Sequence, residues 1–102
     1  MMDSSLPIAC TLSDADFRQR REELLKTVAA AVVKKRELTD GVAYCFSSEA
    51  EWITELAQLI TVERECCSFI AFNLRIELGS GPIWLELTGP EGTKEFLTTL
   101  FG

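Results

Sequence analysis

Hydrophobic positions along the chain alternate between helical and strand spacing. Residues 1–12 show no period and read as a lead-in. From Ser13, Phe17, Leu24, Leu25, Val28 and Val32 fall on one helical stripe. Ser13 has the chemistry of an N-cap, with Asp14 and Asp16 in the favourable first turn. Near Val32 the composition becomes β-branched, and "VVKKREL" and "GVAYCF" read as a hairpin. Asp40-Gly41 is expected to supply the positive φ of its turn.

Ser48 and Glu51 have capping-box spacing and open a second helix over 49–65. Its stripe is Trp52 or Ile53, Leu56, and Leu59 or Ile60. Strict alternation then places Ile70, Phe72, Leu74, Ile76 and Leu78 on one strand face. "GSGP" turns the chain, and Ile83, Leu85 and Leu87 face inward on the partner strand. Gly89-Pro90-Glu91 is expected to start a last helix, with Phe96, Leu97, Leu100 and Phe101 as its stripe.

The order α-β-β-α-β-β-α predicts an α+β fold, a four-stranded antiparallel sheet with helices packed on one face. Residues 13–102 make a single domain. The other sheet face mixes Ala43, Cys45, Phe69, Ala71 and Trp84 with charges. A mixed face of that kind suits pairing with a second copy, and a two-fold homodimer is the expectation.

Two charges interrupt the stripes. Arg21 lies four residues from both Phe17 and Leu25, and Glu63 four from both Leu59 and Cys67. Unpaired buried charges are costly, and opposite ones can meet. Arg21, or its neighbour Arg20, is therefore expected to pair with Glu63 between the first two helices. The alternative is that both reach solvent along their stems.

Composition narrows the function. The 102 residues are 47% hydrophobic and 25% charged, as in ordinary globular proteins. The net charge of −6, with one short basic run at Lys34, Lys35 and Arg36, argues against nucleic-acid binding. No apolar run approaches the ~20 residues that cross a membrane. "LPIAC" ends as a lipoprotein cleavage site would, but lacks the basic and apolar regions before it. The expected location is cytoplasmic.

The four cysteines are Cys10, Cys45, Cys66 and Cys67, and there is no histidine. Without histidine the usual nucleophile–base pairs cannot form, and no catalytic residue is assigned. Neighbouring side chains diverge on a helix or a strand, so Cys66 and Cys67 converge only if the chain bends between them and the strand. Two converging thiolates, with Cys10 as third ligand, suit a soft ion such as Cu(I), Zn(II), Hg(II) or trivalent arsenic. Arg20, Arg21 and Glu63 would lie around that site. Packing as small hydrophobes and redox or nucleophilic chemistry are the other readings. Cys45 reads as structural.

The segments "CTLS-ADFRQRREELL", "ERECCSFIAF" and "LELTGPEG" resemble a family of small uncharacterised bacterial proteins. Its pattern is an E-R-x-C-C-P-F-x-x-F core, a later L-x-L-T-G-P-x-G segment and a C-[ST]-L-[ST] start to the first helix. The match covers nearly the whole chain and falls on Cys10, Arg20, Arg21, Glu63, Arg64, Cys66, Cys67, Phe69, Phe72, Gly89, Pro90 and Gly92. Ser68 departs from the pattern, which carries proline there. The resemblance implies proximity to heavy-metal resistance and no established activity. Two functions are thus in view: a thiol protein for a soft metal or metalloid, and a non-catalytic dimeric interaction or small-ligand module with structural cysteines.

Overall fold

The structure, a computed structural model, describes residues 15–101. Cys10 and the expected N-cap Ser13 lie outside the described residues. In chain order the elements are α1 (Ala15–Ala30), β1 (Lys34–Leu38), β2 (Gly41–Phe46), α2 (Glu51–Cys66), β3 (Ala71–Ile76), β4 (Ile83–Thr88) and α3 (Thr93–Phe101). The strands form one antiparallel sheet in the order β1-β2-β4-β3. This is the expected α+β fold.

Pairing across the two central strands explains the core. Val42 faces Leu87, Tyr44 faces Leu85, and Phe46 faces Ile83. All six are buried, together with Leu24, Leu25 and Val28 of α1, Leu56, Leu59 and Val62 of α2, and Leu97 of α3. Each such aliphatic or aromatic side chain contributes about 1.5–3 kcal/mol when fully removed from water. The three helices thus cover one face of the sheet.

Several boundaries differ from the sequence pattern. The helix α2 starts at Glu51 behind Ala50, with no side-chain cap. Backbone bonds from Trp52 N to Glu49 O and from Ile53 N to Ala50 O tighten its first turn instead of a Ser48–Glu51 box. The last helix begins at Thr93, since Pro90 to Gly92 form a turn that the Thr93 hydroxyl closes by donating to Pro90 O at 2.6 Å. β3 ends at Ile76, and Leu78 belongs to the turn and is 98% exposed. That turn uses positive φ at Gly79 (62°) and Ser80 (64°).

Two further expectations are corrected. Gly41 is not among the positive-φ residues. A Cβ there would fall on the carbonyl oxygen of Leu87, so glycine is needed for close approach of β2 to β4. Phe69 is not on the outer sheet face. It is buried in the core, edge-on to Phe96 with centroids 5.2 Å apart.

Candidate thiol site

The site lies where α2 ends. Cys66 is the last residue of that helix, and Cys67 leaves helical geometry at φ −122°, ψ 76°. Cys67 N still donates to Glu63 O, closing the helix, and Ile70 N donates to Cys67 O, closing a turn over residues 67–70. This bend brings two adjacent side chains to one place. Both cysteines are fully buried, and their sulfurs are 3.5 Å apart.

Beside them the two misplaced charges meet. Arg21 donates from Nε to Glu63 Oε2 at 2.6 Å and from Nη2 to Glu63 Oε1 at 3.2 Å. This is a side-on bidentate pair, the strongest geometry for guanidinium and carboxylate. The Glu63 side chain is 1% exposed and that of Arg21 11%. Arg20, the alternative partner, is exposed and stands outside the pair. Cys67 Sγ donates to Glu63 Oε1 at 3.4 Å and lies 3.7 Å from Arg21 Nη2. Arginine, glutamate and thiol therefore form one hydrogen-bonded cluster.

The electrostatics keep Cys67 protonated. Burial pushes its pKa up to about 12, the Glu63 carboxylate adds to the rise, and Arg21 opposes it. For Arg21, burial alone would lower the pKa, but Glu63 and Cys67 together outweigh it and the net shift is upward. At neutral pH the cluster is an ion pair and a neutral thiol.

Cys66 differs from its neighbour, because it is disulfide-bonded. The other two described cysteines, Cys45 and Cys67, are free thiols. A disulfide sulfur is not a thiolate ligand, and in this state Cys66 is closed to a soft ion. Sequence reasoning missed this oxidation, because adjacent cysteines gave no signal of which one is engaged.

The structure thus brings together Arg21, Glu63, Cys66 and Cys67. Cys45 is remote in role: it is buried on the outer sheet face, with its Sγ 3.9 Å from Phe46 O. Among the described residues no group of three or more Cys, His, Asp or Glu is disposed to hold a metal ion. A third ligand would have to come from elsewhere in the chain, and Cys10 is the candidate from sequence. No helix among the described residues is long and apolar enough to cross a membrane. No protein-family model, curated protein or solved structure matches the chain.

Proposed function

We propose that this is a small cytoplasmic thiol protein that binds a soft metal or metalloid ion in its reduced state. Cys66 and Cys67 would be ligands, Cys10 the third, and the disulfide at Cys66 the closed form. The observation that carries this reading is the convergence of two adjacent sulfurs, 3.5 Å apart, beside a partly buried arginine. With metal–sulfur bonds of ~2.3 Å, that separation corresponds to a sulfur–metal–sulfur angle of about 100°. Such an angle suits tetrahedral or three-coordinate pyramidal ions better than linear two-coordinate ones. Arg21 would offset the negative charge that thiolates bring into a buried place, and Glu63 would hold Arg21 there.

A reducing cytosol favours the open form, because glutathione and thioredoxin keep accessible disulfides reduced. The resemblance to bacterial proteins near heavy-metal resistance points the same way. Full burial of both sulfurs favours the rival, a non-catalytic module whose cysteines only pack.

Titration separates the two. The full chain, reduced with a phosphine under anaerobic conditions, is mixed with Zn(II), Cu(I) or arsenite and weighed by native mass spectrometry. One ion per chain is expected for wild type, and none for Cys66→Ser or Cys67→Ser. Wild type that retains no ion, or retention undiminished in both variants, would overturn the proposal.

A further inference from the structure

Among the described residues the sheet has two edges, β1 and β3, and they are guarded differently. β1 carries exposed charge at Lys34, Lys35, Arg36 and Glu37, four of its five positions. Long charged side chains on an edge keep other strands away. β3, Ala71–Ile76, has Arg75 alone, no proline, and an unbroken register against β4.

Backbone direction can be read from the hairpin. Glu77 N donates to Pro82 O, on the β4 side. Antiparallel alternation then turns the backbone groups of Asn73 and Arg75 toward β4, and those of Phe72, Leu74 and Ile76 to the open edge. The side chains of these same three residues lie on the helix-bearing face. Phe72 and Leu74 are half-buried, Ile76 is 53% exposed, and Leu78 beyond it 98%. A groove touching Ile60, Arg64, Ser68, Ile70 and Phe72 runs alongside. Open backbone groups and an apolar strip therefore lie side by side, the combination used in strand addition.

We propose that β3 is the homodimer interface, pairing antiparallel with β3 of a second copy so that two sheets become one. A second copy fits by charge and by register. The two-fold register centred on Leu74 pairs all three outward-facing residues: Leu74 with its own mate, and Phe72 with Ile76 of the other copy. It sets Arg75 opposite Asn73 and Ala71 opposite Glu77, so no like charges face each other directly. Centring on Arg75 would oppose two guanidiniums, and β1 pairing with itself would crowd its cations. The isologous contact closes on itself and leaves only charged β1 strands at the ends. A stable interface needs ~800 Å² per partner, more than one strand offers, so the groove at Ile60 and Phe72 and the exposed Ile76 and Leu78 must be buried along with it. This assignment is independent of the thiol site.

The test is sedimentation equilibrium of the full chain under reducing conditions, so that no intermolecular disulfide contributes. Wild type is expected at twice the 11.4 kDa chain mass. Ile76→Lys and Leu78→Lys alter exposed positions, so both fold, with circular dichroism unchanged. Each is expected to weaken dimerisation at least tenfold. Hydrogen exchange gives a second reading: the amides of Phe72, Leu74 and Ile76 are protected in wild type and exchange quickly in Ile76→Lys. A wild type that stays monomeric at the highest attainable concentration would refute the assignment. So would a dimer that survives both lysines and is lost instead in Trp84→Ser, which would place the contact on the outer sheet face.

Discussion

Arg21 Nε sits 2.6 Å from Glu63 Oε2, joining α1 to α2 across forty-two residues of sequence. The pair is unequal. Glu63 is sealed, while Arg21 keeps a thread of contact with solvent along its stem.

That inequality predicts unequal costs. Arg21→Met strands a buried carboxylate and should lower stability by about 3–5 kcal/mol. Glu63→Leu leaves an arginine that can turn outward, and should cost about 1–3 kcal/mol. The double variant should be less destabilised than the two losses summed, because neither charge is then orphaned. Urea denaturation midpoints of the four proteins check this.

Glu63→Gln tests the control of the thiol. Removing the carboxylate takes away one cause of the raised Cys67 pKa and leaves Arg21, which lowers it. Cys67 should react at least about tenfold faster with a small thiol reagent at pH 8, the effect of a one-unit fall in pKa. Near-zero labelling of native wild type is the baseline, with full labelling after unfolding.

Alkaline pH should destabilise the fold. Cys67 and Tyr44 both have folded pKa values of about 12, raised first by burial. In the unfolded chain the thiol loses its proton near ~8.5 and the phenol near ~10. Above those values the unfolded state binds fewer protons than the folded one, so stability declines as pH rises toward 12. Melting temperatures of reduced protein between pH 7 and 11 should fall, with a smaller decline in Cys67→Ala.

Zn(II) binding by reduced protein should strengthen with pH. Cys67 is protonated at pH 6–8 and must release its proton to become a ligand. Apparent affinity for Zn(II), a bare cation that must displace the thiol proton, should rise at least about tenfold per pH unit, once buffer and ion speciation are corrected; arsenite, whose hydroxyls leave with the thiol protons as water, should show no such rise. Calorimetry in buffers of different protonation enthalpy counts the protons released.

Gly41→Ala should cost more than the ordinary glycine-to-alanine change in a strand. Its Cβ meets the Leu87 backbone rather than a flexible side chain, so the central β2–β4 pairing must open. A loss of about 3 kcal/mol or more is expected, at the severe end for one substitution. Chemical denaturation measures it, and Gly79→Ala, where a Cβ meets nothing and only the positive φ of 62° is strained, should cost less, about 1–2 kcal/mol.

Much of this was legible in the chain. The period of Leu56, Leu59 and Ile83, Leu85, Leu87 carries the element types, since burial on one face leaves its mark at every turn or every second residue. The Arg21–Glu63 contact followed from two charges on apolar stripes, an expensive arrangement that a sequence keeps only with compensation. Termini and turns were less legible. Ser48 and Glu51 have the right spacing for a cap, but backbone bonds at Glu49 and Ala50 do that work. Phe69 continues the strand alternation on paper, yet the Cys67–Ile70 turn takes it into the core. The oxidation of Cys66 leaves no trace in residue pattern, because it depends on tertiary proximity and redox environment.

The outer sheet face holds a final consequence. Ala43 is 0% and Cys45 5% exposed, although none of the described helices covers that side. Arg36, paired with Ala43, reaches over Trp84, paired with Cys45, with its guanidinium carbon 4.7 Å from the ring centroid. Two side chains thus roof the middle of the sheet on the side away from the described helices. The roof is held by cation–π attraction, and it shelters a thiol. In a Trp52→Phe background, Trp84 emission therefore serves as a gauge of whether that shelter is shut.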